Sequence, residues 1–190
     1  MAHHATPDFH FLATGIGSVP SLDVRDTCLR ILEACPHIPF WPQLVQRSHL
    51  EDMVVQFTEG LPFLEVTVDR RVLLTPHGNA EQKLLTFYDR FLAEDVNHFA
   101  LSKSYVPGLY EMLALIDRGP EKVGPFVKGQ TVGPVTFAAA IKDREGRNLF
   151  SYPELSEAFV KALAIRALWQ VRALGRSGKK PILFLDEPYL

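Results

Sequence analysis

Apolar residues recur along this chain with two periods, and each period predicts a different element. In SLDVRDTCLRILEACP, Val24, Cys28, Ile31, Leu32 and Cys35 fall on one helical face. Ser21 is placed to cap that helix, Asp23 suits its first turn, and Pro36 marks its stop. A second helix is expected in AEQKLLTFYDRFLAEDV, with Leu84, Tyr88, Phe91 and Leu92 in phase. A third is expected in PGLYEMLALIDRG, with Leu109, Met112, Leu113 and Ile116 in phase and Gly119 just past the end. The longest helical pattern is SYPELSEAFVKALAIRALWQVRALGRSG, where Ser151 and Glu154 have capping-box spacing and Gly175 or Gly178 can end it.

Short apolar runs predict the strands. FHFLATGIGSVP reads as a strand followed by a tight loop, and HIPFWPQLV as a second strand with prolines near its ends. GPFVKGQTVGPVTFAAAI reads as a strand and a glycine-rich turn, and PILFLD as a strand apolar on both faces. In LPFLEVTVDRRVLLTP, Leu64, Val66 and Val68 alternate with Glu65, Thr67 and Asp69, which predicts a β-hairpin excursion over residues 61–76. The order is β-α-β-(hairpin)-α-α-β-α-β, an α/β pattern that implies a parallel sheet with right-handed crossovers. Residues 1–190 read as a single domain without repeats or linkers.

Composition narrows the partners. The 190 residues are 47% hydrophobic with a net charge of −2, so no basic stripe points to nucleic acid and a small molecule is the expected ligand. The opening MAHHATPDFHFLATG lacks the basic-then-apolar pattern of a signal peptide, and no window has the apolar length of a membrane span, so a cytoplasmic protein is expected. Cys28 and Cys35, two helical turns apart, are expected as free thiols. The histidines, among them His3 and His4, do not cluster, and no metal site is expected in this chain.

Three polar features follow expected strands: Gly15-Ile16-Gly17-Ser18, the stretch GQTVGPVT, and Asp186-Glu187-Pro188. Ligands in parallel α/β proteins bind at the carboxyl ends of strands, so the three together point to a site. The first turn offers backbone N–H groups and a hydroxyl to an anion; it is not a dinucleotide fingerprint, because Pro20 stands where the third glycine would be. Gly133-Pro134 makes a rigid turn beside a substrate-sized space. Asp186 and Glu187, adjacent on a strand, point to opposite sides, so one faces the site and the other is expected to pair locally with a cation.

TGIGSVP, GQTVGPVTFA and FLDEPYL resemble, in that order, the first half of the catalytic barrel of cobalamin-independent methionine synthase. The wider group includes uroporphyrinogen decarboxylase and corrinoid-dependent thiol methyltransferases. The resemblance implies a partial TIM barrel: about the first four β/α units of a (β/α)8 barrel, with the hairpin inserted. It implies that Ile16, Gly17 and Ser18 hold a substrate carboxylate and Asp186 its ammonium, as for homocysteine. It places Gly133, Pro134 and Thr136 on the second-substrate, folate side. Where the synthases carry a glutamate after the second strand, this sequence has Gln46 and Arg47, and Arg47 would favour an anion. Lys128, near the site mouth, would fit an anionic substrate too.

The zinc ligands of that family come from the second half of its barrel, so zinc and a folate are implied for a full-length relative and neither for this chain. The expectation is a fragment or truncated relative of a methyltransferase, without catalytic residues of its own and inactive alone. The alternatives are a decarboxylase-type or corrinoid-dependent relative acting on another thiol or acid, and a non-catalytic half barrel that pairs as a homodimer or docks on a partner.

Overall fold

Helix ends and strand edges follow from a few side chains, and several lie elsewhere than the sequence pattern predicts. The computed structural model describes residues 11–69, 71–76 and 79–189. The opening of the first expected strand, and His3 and His4, lie outside the described residues. Helix α1 spans Val24–Ala34 and is capped by Asp23, whose carboxylate accepts from the N–H of Asp26, and not by Ser21. The Ser21 hydroxyl instead accepts from Thr27 Oγ1 at 2.7 Å. Helix α2 (Ala80–Leu92) buries Phe87, while Leu92, expected on the packed face, is exposed. Helix α3 (Pro107–Arg118) buries Leu109, Met112 and Ile116 as its period requires, and Gly119 closes it with an extended φ of −150° rather than a left-handed one.

Pro134–Ala140, read from sequence as a turn, is a short helix α4. Pro134 at its first position loses no hydrogen bond there and pre-sets φ. Helix α5 (Pro153–Gly175) begins with a proline as well, so the cap expected from Ser151 is absent and Tyr152 stands at the N-cap without a side-chain bond.

The only regular parallel ladder among the described residues joins β3 (Phe126–Val132) to β4 (Lys180–Asp186), from Phe126 opposite Lys180 to Val132 opposite Asp186. Two further segments continue it by single bridges, Phe40 to Lys128 and Ser18 to Gln43, both parallel. Lys128 N–H donates to Pro39 O at 2.8 Å and Gln43 N–H to Gly17 O at 2.9 Å. Pro39 and Pro42 remove two N–H donors from the second segment, which explains why it bridges its neighbours without forming a continuous ladder. The spatial order is therefore residues 14–18, then 38–43, then β3, then β4. Strands β1 (Leu64–Val66) and β2 (Val72–Leu74) form a separate antiparallel pair. Val68, expected on its packed face, is fully exposed.

The core lies between the sheet and the helices. Helix α5 packs on β3 and β4, and α1 on α3. Arg166, 2% exposed on α5, donates to the backbone carbonyls of Phe57, Glu59 and Phe99, clamping the segment before β1 to the long helix. β4 departs from its expected burial on both faces: Phe184 is 38% and Leu185 62% exposed. Beyond β3 it has no strand neighbour among the described residues. No helix among the described residues is long and apolar enough to cross a membrane.

Both cysteines are free, Cys28 buried and Cys35 partly exposed just beyond α1. Burial, with the Glu111 carboxylate nearby, pushes the Cys28 thiol up to about 12. At pH 8 only roughly one Cys28 in ten thousand is thiolate, the reactive form. A thiol-reactive disulfide reagent should therefore label Cys35 in the native protein and Cys28 only on unfolding. Equal labelling rates for the two in native buffer would contradict the packing of α1.

Candidate functional site at the strand ends

Alternation along β3 sorts its side chains onto two faces. Gly129 faces α5, where a Cβ would stand 2.1 Å from Gln170 Oε1, so only glycine lets the helix approach. Lys128, Gln130 and Val132 point the other way, beside Ile182, Phe184 and Asp186 of β4. This second face carries the polar residues.

Lys128 is fully buried. Its ammonium donates to the carbonyl of Ile16 and to Gln130 Oε1, the latter at 3.0 Å. It also lies 4.7 Å from the centre of the Phe184 ring, a cation–π contact that partly replaces water. Burial lowers its pKa to about 8, against the pull of the Asp186 carboxylate. Gln130 Nε2 donates to Trp41 O at 3.0 Å, so that carboxamide is satisfied at both ends.

The turn of Ile16, Gly17 and Ser18 sits over this group. Ile16 and Ser18 are exposed and Gly17 is buried. A Cβ on Gly17 would stand 2.7 Å from Gln43 Oε1 and 2.8 Å from Gln130 Nε2, so glycine is required by close packing. The N–H groups of Ile16, Gly17 and Ser18 have no acceptor among the described residues. The Ser18 hydroxyl donates to Gln43 Oε1 at 3.4 Å.

Asp186 is half-buried at the end of β4, and its carboxylate has no hydrogen bond or ion pair among the described residues. Burial raises its pKa, with Lys128 opposing. Lys128 thus links the turn to Asp186: it bonds to the first and shares a field with the second. The arrangement offers free N–H donors at one point and an unpaired carboxylate at another, which suits a small ligand with both an anionic and a cationic group.

The other expected residues are engaged elsewhere. Arg47 pairs with the buried Glu51 at 2.7 Å, and Glu51 also accepts from Leu44 N–H at 3.0 Å. Gly133 N–H donates to Asp186 O at 2.8 Å, but the space beside its Cα is filled by Glu187. Glu187 pairs with no cation among the described residues. Its carboxylate accepts from Val135 N–H at 3.0 Å and Thr136 N–H at 2.8 Å, crossing from the end of β4 to the start of α4. Burial acts to raise its pKa, but these bonds prevail and hold it low. Thr136 is buried, and its hydroxyl accepts from Tyr189 N–H at 3.4 Å. Pro134 starts α4 and Thr136 anchors Glu187 and Tyr189, so both serve the packing of the chain around β4.

Gln43 and Gln130 belong to the site and were not singled out from sequence. FVKGQTV carried the signal for Gln130: two polar residues two apart in an apolar strand mark one polar face. Among the described residues no three His, Cys, Asp or Glu side chains are placed to share a metal ion.

Lys128 binds fewer protons in the folded chain than in the unfolded one between pH 8 and about 10.5. Unfolding free energy therefore rises with pH in that window. Relative to Lys128→Met, the wild type should gain roughly 3 kcal/mol from pH 8 to 10.5 and nothing between pH 6 and 7.5, measured by urea unfolding. A flat difference would place the ammonium in water, and a loss would mean that its partners favour the charged form over water.

The chain matches no protein-family model, no curated protein and no solved structure.

Proposed function

We propose that this chain is the strand 1 to strand 4 half of a methionine-synthase-like barrel, and that its strand ends bind an amino-acid thiol such as homocysteine. The observation that carries this reading is that Gly17, Ser18 and Asp186 stand at the carboxyl ends of the first and fourth of four parallel segments, with Lys128 between them, bonded to Ile16 O and in the field of Asp186. In such a site the N–H groups of Gly17 and Ser18 hold the ligand carboxylate. Asp186 receives its ammonium, a charge-assisted bond that would lower the raised pKa of the aspartate.

The exposed edge of β4, with Leu185 and Phe184 uncovered, is where further barrel strands or a second copy would pair. In the family that this chain resembles, the zinc ligands that activate the thiolate come from the second half of the barrel. The reading is therefore of a substrate-binding half that does not transfer methyl groups alone, and methylation of homocysteine by the isolated chain would contradict it.

One observation favours a second ligand class. Lys128 already supplies a positive charge near Asp186, which suits an acid without an amino group. Calorimetric titration separates the two. Homocysteine should bind the wild type, and Asp186→Asn should weaken it about tenfold while leaving 4-sulfanylbutanoate, the same thiol acid without its amino group, unchanged. Equal affinity of both compounds for both proteins would remove the amino acid from the proposal and leave the acid.

A further inference from the structure

Gln43 is 2% exposed, and its Nε2 has no hydrogen-bond partner. A buried donor left unpaired costs about 1–3 kcal/mol, and such groups in folded proteins call for an explanation. The surroundings supply one. The Gln43 backbone is pinned to the turn in both directions: its N–H donates to Gly17 O at 2.9 Å, and its carbonyl accepts from Val19 N–H at 3.1 Å. Its Oε1 accepts from the Ser18 hydroxyl at 3.4 Å and packs against Gly17. That bond orients the carboxamide and leaves Nε2 as the free end.

The unpaired Nε2 accompanies three backbone N–H groups, at Ile16, Gly17 and Ser18, that have no acceptor among the described residues. The Lys128 ammonium lies beneath the same turn, bonded to Ile16 O. Donors from two different segments and a buried positive charge thus surround the turn, and an oxyanion is the chemistry they share.

We infer that Gln43 is a ligand-binding residue whose Nε2 donates to a carboxylate oxygen of the small acid held by the Ile16-Gly17-Ser18 turn. The inference rests on the strand-end reading proposed above and adds a residue from the second segment to it. It also accounts for the unpaired donor: the ligand supplies the acceptor that the protein leaves out, so free-state stability is given up for binding.

The test joins NMR to stability. The side-chain NH2 pair of Gln43 is identified in ¹⁵N-labelled wild type by its loss in Gln43→Met, and each protein is titrated with L-homocysteine and with 4-sulfanylbutanoate. The Gln43 NH2 pair should shift along the same saturation curve as the backbone amides of Gly17 and Ser18. Gln43→Met, of similar shape but without a donor, should weaken binding about tenfold or more and leave the urea midpoint unchanged or higher.

Shifts at Gly17 and Ser18 without any at the Gln43 NH2 pair would overturn the inference and leave the strand-end site standing. So would Gln43→Met that lowers the midpoint yet binds as the wild type does. Shifts at Gln43, Gly17 and Ser18 with 4-sulfanylbutanoate but none with homocysteine would overturn the amino-acid reading and support the role of Gln43. No shift at any of the three with either compound would overturn both.

Discussion

One glutamine holds the two layers of this fold together. Gln170, fully buried on α5, accepts from Trp41 Nε1 at 2.9 Å and donates to Gln130 O at 2.9 Å. It therefore ties the long helix to both the second segment and β3. Gly129 makes the approach close enough, since any side chain there would meet Gln170. The second segment needs such a tie, because its prolines leave it few ladder bonds of its own. With Trp41 fixed from the helix side, Phe40 and Gln43 are held beside β3 and beside Ser18. The polar face depends on that placement.

That face is built around a buried ammonium. Lys128 stays charged near neutral pH because two oxygens and an aromatic ring replace water, and its lowered pKa measures how incompletely they do so. Its bond to Ile16 O gives the turn a fixed backbone carbonyl, so the N–H groups of Ile16, Gly17 and Ser18 are presented rather than left to search. Asp186 balances the charge at longer range without bonding to it. Glu187, one residue on, is spent on the start of α4, so the two neighbouring carboxylates have separate roles: one secures the chain and one is left open.

Much of the architecture was legible in the sequence, and the failures have physical causes. The faces of α1 and α3 followed from their apolar period because each packs along one side. Leu92 failed because it is the last residue of α2, roughly 140° round the helix from the buried Phe87, and stays exposed. Ser151 failed as a cap because Pro153 starts α5 by itself. β4 reads as a strand buried on both faces, yet in the described chain it is an edge, since neighbours are not written in a strand's own composition. Asp186 and the turn at 16–18 could be picked out because they follow strands. Gln43 could not: a lone glutamine between a proline and a leucine carries no pattern, and only packing against Gly17 and the lack of a partner give it meaning. Arg47 looked free in the sequence and is held by Glu51, four residues on.

In the proposed site the turn at Ile16, Gly17 and Ser18 and the carboxylate of Asp186 grip one ligand between them. A crystal structure of the chain grown with L-homocysteine tests it most directly. The carboxylate should lie within about 2.7–3.2 Å of the N–H groups of Gly17 and Ser18, and the ammonium at a similar distance from Asp186. Homocysteine bound away from the strand ends, or held with its carboxylate remote from the turn, would contradict it.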